Sequence, residues 1–296
     1  MSCEILAFSG RKLDAPSCML GEGPTYDPHT GTAWWFDIIG RKLIEYHLAS
    51  DTVTVHELPV MGSVLARIDD KRQMVATETG LHIRHVLTGE LELVTPIEAD
   101  NDVTRSNDGR VHPSGALWIG TMGKSAEKGA GAIYHVARGV VTVLFPSITI
   151  PNGICFSPDG SIAYFTDTDT AKLMRVAIDP STGLPTGSPD VLYDHSGDVG
   201  GLDGAVCDLD GSIWNARWGG GCVDVYAPDG ARLKTLKVPA GKTTCPAFVG
   251  ENADRMIVTS AREGLSDDQL AADPGAGCTF LLDHPVKGRF EPDYIL

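Results

Sequence analysis

Apolar and polar residues alternate along much of this chain with the two-residue period of half-buried β-strands, as in KLIEYHL, TVTVHEL, AIYHV, VVTVLF, KLMRVAI and VDVYA. Between them lie denser apolar or aromatic segments, each introduced by a small turn. YDPHTGTAWWFDI (26–38), VHPSGALWIGTM (111–122), FSPDGSIAYFTDT (156–168) and CDLDGSIWNARW (207–218) share this form, and IDDKRQMVATETG (68–80) and VGENADRMIVTSA (249–261) are weaker copies. Pro, Asp, Asn and Gly reverse the chain there because they preset or tolerate the dihedrals of a tight turn. The copies recur at intervals of about 40 to 50 residues, the period of propeller blades.

Six copies with about four strands each predict an all-β fold, a six-bladed β-propeller formed as one domain over residues 1–296. A two-sheet sandwich competes, but it supplies no reason for the repeated signature. EILAF at the start and DYIL at the end are strand-like, and one of them is expected to complete a blade shared by the termini. LSDDQLAAD (265–273) is expected to hold one or two helical turns.

Composition narrows the class. A net charge of -15 argues against a nucleic-acid partner, whose phosphates need Lys and Arg. No apolar run approaches the length of a membrane span, and the amino terminus lacks the profile of a signal peptide. Seven cysteines without a C-x-x-C pair suit reduced thiols, so a cytoplasmic location is expected. The nine histidines do not cluster at ligand spacing, and the tryptophans fall in or beside the strand copies, where blade packing is their default role. Trp218 is a candidate for the edge of the pocket, and Met122 has two equal readings, channel lining and core packing. G-x-S-x-G, H-E-x-x-H, the P-loop and G-x-G-x-x-G are all absent, and DTDTAKLMRVAI (167–178) lacks the Gly and Glu of an EF-hand loop.

Chemistry enters at four places. In a propeller, polar residues just ahead of the innermost strands meet at one rim of the channel though they lie far apart in sequence. LGEGP (Glu22), RSNDG (Arg105, Asn107), IPNG (Asn152) and GLDG (Asp203) stand at a similar short distance before four of the copies. Glu22, Asn152 and Asp203 offer two carboxylates and an amide oxygen, a set that suits a hard divalent cation such as Ca²⁺, Mg²⁺ or Mn²⁺, with Zn²⁺ less strongly indicated. The channel is thus expected to be metal-binding. Taken singly, each is an ordinary turn residue; their common register is what points to a site.

These motifs resemble the SMP-30/gluconolactonase/regucalcin family. The likeness covers essentially the whole chain: GEGP, R-x-NDG before the GTM strand, NG before SPDG, LDG, KTTCPAF (242–248), TSAREGLSDDQLAADPGAG (259–277) and the terminal VKG. It implies a six-bladed propeller with one divalent cation in its channel, held by Glu22, Asn152 and Asp203. It also implies that Arg105 and Asn107 hold sugar-lactone oxygens and that Asp203 serves as general base. One position departs from the pattern. Where the family carries a substrate-contacting glutamate after GTM, this chain has GTMGKSAEKG, with Ser125 aligned, Lys124 beside it and Glu127 following. Lys124 and Ser125 are therefore candidate substrate contacts, and the lysine suggests an anionic substituent.

The expected reaction is metal-dependent hydrolysis of a sugar lactone, of the gluconolactone, arabinonolactone or xylonolactone type, to its aldonic acid. The cation polarises the carbonyl, and Asp203 or a water held by the cation supplies the base. Two alternatives share the scaffold: a non-catalytic, regucalcin-like calcium-binding protein, and a propeller esterase or phosphotriesterase.

Overall fold

The turn that opens five of the six copies uses one residue of left-handed backbone, which glycine adopts without a Cβ clash. Gly31, Gly115, Gly160 and Gly211 fill that place at φ between 69° and 83°, while the sixth copy puts Ala253 there at φ 53°. The segments after these turns, TAWWFD, LWIGTMG and IAYFTD among them, are buried almost throughout. Strands covered on both faces by neighbouring sheets read as continuous apolar runs. The edge strands further along, such as Thr52–Glu57 and Leu91–Pro96, are mostly exposed and keep the alternating pattern.

The computed structural model describes residues 3–296 and arranges them in six sheets. Each of the first four blades is an antiparallel meander running from an inner strand outward in chain order. The inner strands are Gly21–Asp27, Gly62–Arg67, Thr104–Val111, Pro151–Phe156, Gly201–Cys207 and Thr243–Val249. Each packs on the next and the sixth packs on the first, so they close a ring around a channel. This is a six-bladed β-propeller. Its core lies between blades; Trp35, for example, packs with Tyr46, Ile257 and Leu281 across the junction of the first and last blades.

Closure differs from the expected sharing of strand-like ends. The strand Gly10–Lys12, rather than EILAF or DYIL, pairs antiparallel with Phe280–Leu282 and completes the sixth blade. Glu4–Leu6, within EILAF, adds a parallel fifth strand to the fifth blade against Arg232–Lys237. DYIL forms no strand. Instead the tail crosses the far end of the channel, where Arg289 donates to the carbonyls of Phe156 and Cys207 at 2.6 and 3.1 Å, the last residues of two inner strands. Arg67 holds Asp293 at 2.6 Å, and Tyr294 is buried among residues of the second and third blades. The helix Asp267–Ala272 is as short as expected, with Ser266 and Gln269 forming a reciprocal cap. All seven cysteines are free, and six are buried.

Candidate active site at the open mouth of the channel

The site residues do not lie in loops ahead of the inner strands, as expected from sequence; they lie within them, near their first residues. The cause is a one-residue bulge repeated at the same height. Glu22 pairs with Phe36 but the next pair is Thr25 with Trp34, so one residue on the inner strand is left over. The same slip occurs between Ser106 and Gly109, Asn152 and Cys155, and Leu202 and Ala205. A bulge bends the strand and re-aims its side chains, so polar groups that a regular pleat would send into blade contacts reach the channel instead. Gly23 shows why small neighbours are needed: at φ 55°, its missing Cβ would lie 1.9 Å from the carbonyl oxygen of Ser63.

Glu22, Arg105, Asn107, Asn152 and Asp203 are all buried and line one cavity of about 380 Å³. Lys124 and Ser125 stand on its lip, where Met122 and Trp218 also contribute to the wall. Sequence reading did not single out Thr168, Lys242 or Glu263, which line it too. Lys242 lies in KTTCPAF and Glu263 in TSAREG, segments matched as motifs without a role for either side chain. Thr168 lay in the calcium-loop-like stretch set aside above and belongs to a short 3₁₀ turn, Thr168–Thr170, between two strands.

Hydrogen bonds fix the amides. The Thr168 hydroxyl donates to the Leu202 carbonyl at 2.7 Å, so it accepts from Asn152 Nδ2 at 3.0 Å. That orients Asn152 Oδ1 toward Asn107, whose Nδ2 donates to it at 2.8 Å and to the Pro151 carbonyl at 2.9 Å. Asn107 Oδ1 in turn accepts from Arg105 Nη1 at 2.7 Å. Both faces of the Asn107 amide are thus engaged by protein. The Asn107 side chain thereby places Arg105 and Asn152, and its Oδ1 keeps a second lone pair open to a ligand.

The carboxylates are held differently. Glu22 Oε2 accepts from the Gly23 amide at 3.1 Å and Asp203 Oδ1 from the Gly204 amide at 3.0 Å. Burial raises the pKa of both, and the neighbouring carboxylates raise them further: Asp108 acts on Glu22, and Glu22 with Asp108 acts on Asp203. Asp108 itself, pushed up to about 6 by burial, accepts from the Ile154 amide at 2.7 Å and ties the third blade to the fourth. Glu22 and Asp203 thus face Arg105, whose own pKa is lowered by burial, while Asp108 is offset by the buried Arg110.

Glu22, Asn152 and Asp203 bring oxygen donors from three blades to one cavity. Among the described residues no group of three or more His, Cys, Asp and Glu side chains could hold a metal, so a cation here would need the amide of Asn152 as third ligand. Two desolvated carboxylates that repel one another, plus an amide oxygen oriented by its neighbours, fit a hard cation, which would relieve the repulsion.

Comparison with known proteins gives consistent matches. Residues 20–262 match the family model described as SMP-30/Gluconolactonase/LRE-like region. The chain is 58% identical to a putative sugar lactone lactonase of Rhizobium meliloti over 99% of both chains, and 35% identical to L-arabinolactonase of Azospirillum brasilense over 88% of this chain and 87% of that one. Its fold superposes with TM-score 0.99 on the crystal structure of a calcium-binding protein, regucalcin, from Agrobacterium tumefaciens, at 57% identity over all of both chains.

Proposed function

The chain belongs to the SMP-30/gluconolactonase family and is a lactone-hydrolysing enzyme, and from that premise we propose that it opens a sugar lactone to the aldonic acid with one divalent cation held by Glu22, Asn152 and Asp203. The observation that carries this reading is the convergence of two buried carboxylates, an oriented amide oxygen and a buried arginine on one cavity of sugar size. A cation bound by these three side chains supplies Lewis-acid polarisation of the lactone carbonyl. All three ligands are oxygens, which suits Ca²⁺, Mg²⁺ or Mn²⁺, and Ca²⁺ is the ion taken first, as in the calcium-binding relative.

The protein's own groups do the rest. Asp203 keeps one oxygen on the Gly204 amide, and its other oxygen takes the proton of the attacking water as the water adds to the carbonyl carbon. The ring C–O bond then breaks, and the ring oxygen takes the proton and remains as a hydroxyl of the opened acid. Arg105, pinned through Nη1 to Asn107 and the Ser106 carbonyl, turns its remaining donors to the sugar hydroxyls and fixes the ring. Leu20, Ile150 and Met122 in the wall limit the water around the reacting bond.

The test is direct. Gluconolactone, arabinonolactone and xylonolactone, each supplied with Ca²⁺, should release acid far faster than in buffer, while a phosphotriester such as paraoxon should be hydrolysed poorly. Failure to accelerate any lactone overturns the proposal. A second variant probes the amide geometry. Thr168→Val preserves shape but removes the acceptor that orients Asn152, so affinity for Ca²⁺, measured by calorimetry, should fall by about tenfold or more. Unchanged affinity would remove Asn152 from the ligand set.

A further inference from the structure

The mouth of the cavity carries more positive charge than a neutral lactone calls for. Three cationic side chains line it: Arg105 in the wall, Lys124 on the lip after the Leu117–Gly123 strand, and Lys242 at the start of the sixth inner strand. Against them stand Glu22, Asp203 and Glu263. The first two are the ligands proposed for the divalent cation, which would cancel their charge, leaving Glu263 in the wall and Glu78 behind Lys124 to offset three cations. The whole chain meanwhile has a net charge of -15. An acidic surface disfavours anions everywhere except where positive groups are gathered, so a cationic mouth is a selective feature.

Both lysines are held in place. Lys124 Nζ lies 2.7 Å from Glu78 Oε2, and Glu78 is itself fixed by the Met61 amide at 3.1 Å. Glu78 is absent from the cavity wall, so it anchors the ammonium from behind. Lys242 Nζ sits 4.6 Å from the centre of the Trp218 ring and donates to the Glu263 carbonyl. Each ammonium has three donors, so both retain hydrogen-bonding capacity toward the cavity. The lip is also shaped locally, for Glu127 accepts the Ser125 amide at 3.1 Å and the Lys124 amide donates to Val103 at 2.8 Å.

The geometry points to a sugar lactone bearing an anionic group, carboxylate or phosphate, on the carbon remote from the ring carbonyl, with Lys242 and Lys124 as the residues that recognise it. This inference rests on the lactonase reading above and refines it. With the carbonyl at Asp203 and the sugar ring beside Arg105, the remote end of the substrate points outward to the lysines. A neutral hydroxymethyl group in the same place would leave Lys242, bonded only to a backbone carbonyl and an indole face, without an anionic partner.

The experiment compares three lactones with the Ca²⁺-loaded enzyme: gluconolactone, the monolactone of glucaric acid, and gluconolactone phosphorylated on its terminal hydroxyl. One anionic lactone should show kcat/KM about tenfold or more above the neutral one, with the advantage falling as salt rises. The faster of the two identifies carboxylate or phosphate as the natural group. Lys242→Met should reduce the anionic-to-neutral ratio by about tenfold, chiefly through KM, and Lys242→Arg should restore most of it. Lys124→Met should act in the same direction. If gluconolactone is opened as well as either anionic lactone, this inference is wrong while the lactonase reading stands. If the anionic preference survives both methionine variants, the lysines are not its source. If no lactone is opened, the underlying reading fails first.

Discussion

Asp203→Asn should leave a folded protein whose lactone turnover is lower by about a thousandfold or more. The substitution keeps the shape of the side chain and an oxygen that can still accept the Gly204 amide. It removes the proton acceptor and the negative charge of one cation ligand together. Stability should move the other way. In the metal-free chain, burial and the nearby Glu22 and Asp108 carboxylates disfavour the charged form of Asp203, so a neutral amide there relieves a cost. Calorimetry on chelator-treated protein should show a Tm for the variant at or above that of the parent. Opposite signs for activity and stability mark a group retained for chemistry rather than for packing. Near-normal turnover in Asp203→Asn would remove it from the reaction.

The second large effect concerns the cation. Adding Ca²⁺ to chelator-stripped protein at about a hundred times its Kd should stabilise the fold by about 2.7 kcal/mol. For a chain of this size that is a rise in Tm of roughly 4 °C. Chelation should also reduce lactone opening to near its rate in buffer. Glu22→Gln should abolish most of the thermal shift, because it withdraws one of only two carboxylates in the proposed set while preserving the oxygen bonded to Gly23. The physical basis is the same crowding that opposes ionisation of Glu22 and Asp203 without a counter-charge. If Ca²⁺, Mg²⁺, Mn²⁺ and Zn²⁺ all leave the Tm unmoved, these residues are not a cation site.

These two variants test a constellation whose members come from separate blades. Glu22 belongs to the first, Asn152 to the fourth and Asp203 to the fifth, with Arg105 and Asn107 supplied by the third. Their residue types and common position ahead of the turn copies were visible in the chain. What they do individually was less so. Asn107 reads as a sugar contact, and its amide also bonds Arg105, Asn152 and Pro151, a positioning network that no local motif announces. Thr168 looked like part of a discarded calcium-loop pattern and turns out to set the orientation of the Asn152 amide. Lys124 was expected at the lip and lies there, but its tether to Glu78 joins two blades that no local motif connects.

The linear chain determined the blade count, the all-β class and the set of polar residues to watch. A turn glycine followed by an apolar strand is a local rule, repeated often enough to be read without knowing what packs on what. Tertiary structure decided the rest: the bulges that turn inner-strand side chains into the channel, the choice of Gly10–Lys12 to close the ring, and the convergence of lysines on one mouth. Each depends on contacts between residues far apart in the chain. Ladder register and ring closure are settled by which faces can be buried together, a condition that no single segment contains.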